Sequence, residues 1–124
     1  MSIIVTDSGF GPDTWAQTDS VDLGPDTDPI TMVRKMHTLQ AIRIDFPNFA
    51  DGRGFTIARQ LRLMGFTGRL RARGHVLADQ YAMARRAGFD EVEIDENLAA
   101  RQPEAQWLAR ADWQNHDYQS RLRG

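Results

Sequence analysis

Two short repeats, Met64-Gly65-Phe66 and Ala87-Gly88-Phe89, each introduce a run in which apolar and charged residues alternate. Together with an earlier run they give three strand candidates: AIRIDF over 41–46, RLRAR over 69–73 and EVEID over 91–95. Strict alternation of this kind marks a strand with two unlike faces. Helical spacing fills the gaps between the runs. Phe55, Ala58, Leu61 and Met64, widened by Ile57, predict a helix over 54–64, and Leu77, Tyr81 and Ala84 predict another over 76–87. A further helix is expected from Asn97 or Pro103. Strand, helix, strand, helix, strand requires a parallel sheet with right-handed crossovers. The fold class is therefore α/β: a parallel βαβαβ core, built as a half-barrel or a small open sheet, with an N-terminal strand extension.

A parallel strand buried on both faces reads as continuous apolar sequence, and these do not. Ile42, Ile44, Phe46, Leu70, Ala72, Val92 and Ile94 share one face and must carry the helices. Arg43, Asp45, Arg71, Arg73, Glu93 and Asp95 share the other. Unpaired charge is costly to bury, so these groups must pair with one another, meet solvent or hold a ligand. A polar half-barrel cleft satisfies the pattern, as does an open sheet covered by the N-terminal strands or another subunit. A cross-strand ladder of ion pairs satisfies it with no ligand at all.

The chain has 124 residues, a length that suits one domain. It divides into an extension (1–28), a βα core (29–102) and an aromatic tail (103–124) with Trp107, Leu108, Trp113 and Tyr118. The tail is expected to dock on the core, and the final QSRLRG to fray. In the extension, Ile3-Ile4-Val5-Thr6 reads as a strand, and Trp15 and Val21 mark another extended piece. Asp28 and Pro29 open a helical stretch with Ile30, Val33 and Met36. The formal net charge of −2 gives no reason to expect nucleic acid. No apolar run suits a membrane, and the first residues lack a signal-peptide pattern, so a cytoplasmic location is expected. The absence of cysteine excludes disulfides, thiolate metal sites and a cysteine nucleophile. Lys35 is the only lysine, while Arg53, Arg59, Arg62, Arg69, Arg71 and Arg73 crowd one segment. A GC-rich genome produces such a bias, but clustered arginine also suits forked contact with oxyanions.

Ligands of parallel sheets bind beyond the carboxyl ends of the strands. At the first such end stands FPNFADGRGF, residues 46–55. Pro47 stops the ladder, Asp51 suits an N-cap, and Gly52 and Gly54 are expected to allow positive φ and close approach of backbone N–H groups. Arg53 adds a forked donor. The second end offers Arg73, Gly74 and His75, then Asp79 and Gln80, with an Asp79–His75 hydrogen bond expected if the helix starts early. No Ser-His-Asp order, metal-ligand spacing or phosphate loop is present, GRG alone is not a dinucleotide fingerprint, and no cofactor is identified.

IDFPNFADGRGFTIARQLR, GFTGRLRARGHVLADQ and ARRAGFD closely resemble a bacterial family known as domain of unknown function 934. The resemblance runs from about Ile30 to Asp95, with an echo at Tyr118-Gln119, although the family more often carries aspartate where His75 stands. It implies a setting beside assimilatory sulfite and sulfate reduction, and members are labelled as oxidoreductases of that process. The combined expectation is an accessory protein that binds a small oxyanion, or a sulfite reductase component, at an arginine-rich edge. Gly52, Arg53, Gly54, Arg73 and Gln80 form the anion site in this reading. The enzymatic alternative makes Asp45 or Asp51 a general base, with Asp79 nearby, and a structural subunit is the third class. Uncovered sheet edges add the expectation of a homodimer.

Overall fold

The computed structural model describes residues 2–15 and 19–114, and its strands form a six-stranded sheet. They are β1 (Ser2–Thr6), β2 (Gly9–Gly11), β3 (Ser20–Leu23), β4 (Ala41–Phe46), β5 (Arg69–Gly74) and β6 (Glu91–Asp95). Their order across the sheet is β2-β1-β6-β5-β4-β3. The last four run parallel and in chain order, while β1 pairs antiparallel with β6, and β2 with β1. The sheet is open and does not close into a barrel. The N-terminal extension supplies both edges of the sheet, β1 and β2 on one side and β3 on the other.

Because each parallel crossover steps the same way, the helices gather on one face. They are α1 (Arg53–Leu63), α2 (Tyr81–Ala87), α3 (Glu96–Arg101) and α4 (Glu104–Leu108). Register explains the face they choose. Val21 pairs with Ile42, Ile42 with Leu70, Ile44 with Ala72, and Val92 with both Ala72 and Val5. Ile57, Ala58 and Leu61 of α1, Tyr81 and Ala84 of α2, Leu98 of α3 and Trp107 of α4 complete this buried cluster. At roughly 25 cal/mol per Å² of apolar surface, this layer is the main driving force for the fold.

Several expectations shift in detail. The stretch after Asp28 forms only a 3₁₀ turn, Pro29–Met32, with the Asp28 carboxylate accepting from the Ile30 amide. Met32 and Met36 are buried while Ile30 and Val33 are exposed, so the apolar stripe expected at Ile30, Val33 and Met36 holds only for Met36. The helix expected over 76–87 begins as a 3₁₀ turn, Ala78–Gln80, before α2. Beyond β6, helices start near both expected points, with Asp95 capping α3 through a 2.7 Å bond from the Leu98 amide. Val21 lies in β3, whereas Trp15 lies outside the strands. In the tail, Trp107 is buried and donates its indole N–H to the Gln102 carbonyl, while Leu108 is exposed. Trp113 is half-buried under Arg85, and Tyr118 and QSRLRG lie outside the described residues.

Candidate functional site

The charged face of the sheet is an ion-pair ladder. Register places Asp22, Arg43, Arg71 and Glu91 in one row, and Asp45, Arg73 and Glu93 in the next. Arg43 reaches Asp22 at 2.9 Å and Glu93 at 3.0 Å. Arg71 binds Glu93 at 2.7 Å, Glu91 at 2.6 Å and Asp13 at 3.0 Å. Arg69 bridges Glu91 and the Thr14 backbone and hydroxyl. The Asp13-Thr14-Trp15 segment lies across these rows, with Arg43, Arg69 and Arg71 all within 5.5 Å of the Trp15 ring centre. Burial opposes the charge on Arg71, yet its bonds to Glu93, Glu91 and Asp13 hold its pKa above the usual value. The interior of this face is therefore satisfied by its own charges, as the ligand-free alternative requires.

The carboxyl edge of the sheet differs. Between the ends of β5 and β6 lies a cleft of about 460 Å³, lined by Arg73, His75, Asp95, Asn97, Arg101 and Phe49, among others. Ser2, Glu93, Ile94 and Leu98 complete much of its wall. Its acidic groups are engaged: Glu93 accepts from Arg43, Arg71 and Ser2, and Asp95 caps α3. Arg73 is held by Asp45 at 2.7 Å. Arg101, at the end of α3, has no ion-pair partner among the described residues. Its position was findable, since Asn97 and Arg101 stand one helical turn apart and so share a face.

Phe49 brings the corner FPNFADGRGF to this cleft, but Gly52, Arg53 and Gly54 do not line it. The corner is satisfied locally. Asn48 accepts from the Ala50 amide, and Asp51 accepts from the Arg53 amide and grips its guanidinium at 2.7 and 2.9 Å. Hydrogen bonds from Arg53 hold the Asp51 carboxyl below the usual carboxylate range. Neither corner glycine has the expected positive φ. Gly52 sits at φ −90° as the N-cap, and Gly54 is small because a Cβ there would meet the Phe46 ring at 2.5 Å. At this edge Gly74 has the conformation that favours glycine, with φ +115° and the Phe46 carbonyl 2.7 Å from where a Cβ would stand.

The remaining sequence candidates separate. Gln80 accepts from the Leu77 amide and donates to the Phe49 carbonyl at 3.3 Å, so it tethers the corner to the second helix. Asp79 pairs with Arg110 at 2.7 Å rather than with His75. His75 instead places Nδ1 3.2 Å from the Phe46 carbonyl, and its backbone N–H donates to the same oxygen. A general base at neutral pH needs a raised carboxyl pKa. The carboxyls with a resolved shift, Asp7, Asp13, Asp22 and Asp51, all move down. Among the described residues, no three His, Asp or Glu side chains converge as a metal site would require. No described helix is long and apolar enough to cross a membrane.

An open, mostly parallel sheet with helices on one face and a mixed polar and apolar cleft at its carboxyl edge defines an α/β protein of the open-sheet class. The chain belongs to the family described as bacterial protein of unknown function (DUF934), whose model matches residues 20–124. The match covers the parallel strands, the ladder and the cleft helix, while β1, β2 and Asp13–Trp15 precede it. No curated protein and no solved structure matches the chain.

Proposed function

We propose that this protein is an accessory factor of sulfite or sulfate assimilation that binds a small oxyanion at the β5–β6 cleft. Arg73 and Arg101 supply the cationic contacts, Asp45 orients Arg73, and Gln80 holds the Phe49 wall in place. The observation that carries this reading is Arg101, a guanidinium on the wall of a 460 Å³ cleft with no ion-pair partner among the described residues. The assimilatory setting rests on the sequence resemblance. With no cysteine in the chain, electrons for any reduction come from a partner or a bound organic cofactor.

Titration calorimetry of the full chain with sulfite, sulfate and phosphate tests the anion contact. Binding is expected for at least one of them, weakened five-fold or more by Arg101→Ala. Heat from none of the three removes the anion reading. Retrieval of a sulfite-reducing component from cells growing on sulfate tests the assimilatory setting separately.

A further inference from the structure

We infer that the occupant of this cleft is an organic acid rather than a bare inorganic oxyanion. It carries one carboxylate, sulfonate or phosphate group, a hydroxyl or N–H donor, and a body about the size of a six-membered ring. This rests on the anion reading of the same cleft and narrows it.

Size is the first argument. A tetrahedral oxyanion displaces the equivalent of two or three waters, roughly 60–90 Å³ at about 30 Å³ per water. The cleft measures about 460 Å³ and is half open to solvent, room enough for a small organic molecule. The wall gives the second argument. Phe49 is 39% exposed and offers an aromatic face from which an inorganic anion gains nothing, over a floor closed by the buried Ile94 and Leu98. The Phe49 and His75 rings meet edge to face, 5.1 Å apart at 87°, and so form one continuous aromatic side.

Hydrogen-bond valence gives the third. The Phe46 carbonyl facing His75 Nδ1 at 3.2 Å can only accept. In the neutral ring Nδ1 therefore carries the proton, and Nε2 is left as an acceptor. Sulfate and dianionic phosphate have no proton to give it. His75 and Arg101 are both exposed, so a ligand hydroxyl or N–H would replace the water that Nε2 otherwise meets while the anionic group meets Arg101.

The test is NMR titration of the isotope-labelled full chain with inorganic phosphate, phenyl phosphate, benzoate and 4-hydroxybenzoate. Phenyl phosphate is expected to bind at least ten-fold more tightly than phosphate, and 4-hydroxybenzoate more tightly than benzoate, with shifts at Phe49, His75 and Arg101. Phe49→Ala, a change at an exposed loop position, should erase the phenyl advantage, read as the ratio of phenyl phosphate to phosphate affinity on the same variant. Equal affinity for phosphate and phenyl phosphate, with shifts confined to the arginines, overturns this inference but leaves the anion reading standing. No benefit from the hydroxyl overturns the assigned role of His75. No shift with any probe overturns both readings.

Discussion

The guanidinium of Arg71 is fully buried 4.5 Å from the centre of the Trp15 ring. The contact joins a residue ahead of the family match to the middle of the sheet, over the buried Arg71, Glu91 and Glu93. A desolvated cation–π contact contributes about 2 kcal/mol, and the guanidiniums of Arg43 and Arg69 also stand within 5.5 Å of the ring centre. Trp15→Ala is expected to destabilise the protein by roughly 2–4 kcal/mol, with Trp15→Phe recovering part of the loss. Urea unfolding measures both. A change under about 0.5 kcal/mol for Trp15→Ala would mean the ring merely rests on the surface.

The ladder itself should respond unevenly. Arg71→Met leaves Glu91 and Glu93 buried without their shared cation, a change that typically costs about 3–5 kcal/mol. Asp22 is the outer member of the same row, and its side chain is 44% exposed. Solvent screening limits that pair, so Asp22→Ala should cost about 0–1 kcal/mol. Equal losses from the two variants would contradict a ladder whose energy is concentrated at Arg71.

The glycines of the first corner and of β5 separate local packing from ligand binding. Gly54→Ala drives a methyl into the Phe46 ring and should cost about 1–3 kcal/mol through overpacking. Gly74→Ala combines a left-handed backbone with a clash on the Phe46 carbonyl and should cost at least as much, about 2–4 kcal/mol. Gly52→Ala meets nothing closer than 3.9 Å at φ −90°. Its effect should stay within about 0.5 kcal/mol. Thermal unfolding of the three variants gives the ranking, and a large loss at Gly52 would restore a special backbone role to that residue.

The alternating runs made most of the sheet legible, because a period of two fixes which side chains face the helices. Ile42, Leu70 and Val92 had only one buried face available. The charged face was legible in composition but not in outcome. Whether Arg71 meets a ligand or a neighbour depends on Asp13, which is 58 residues away in the chain and unpredictable from local pattern. The same limit explains the corner. Asp51 and Arg53 looked like half an anion site, yet two residues of separation let them bind each other instead. Arg101 stands outside the alternating strand runs, so no period-two pattern marks it, although its i, i+4 relation to Asn97 is readable.

The last prediction concerns pH. Tyr81 is buried beneath Trp107 and donates its hydroxyl to Asp7 at 2.5 Å. Burial, and then the neighbouring carboxylate, push the phenol well above its ordinary pKa. The unfolded chain therefore ionises Tyr81 first, so its contribution is complete below about pH 10 and is lost as pH climbs further. Asp7 moves the other way. Its own burial favours the neutral form, but the Tyr81 bond and the Arg85 charge outweigh that and lower its pKa. Its contribution is present above about pH 4 and disappears as pH falls through the folded-state value. Tyr81→Phe should cost about 1.5–3 kcal/mol near pH 7, because it removes a hydrogen bond to a charged acceptor. It should also flatten the alkaline fall in Tm and weaken the acid one, whereas Asp7→Asn should chiefly weaken the acid limb. Calorimetric scans from pH 2.5 to 11 compare the three proteins. If Tyr81→Phe runs parallel to the parent above pH 10, the phenol is not the group that titrates there.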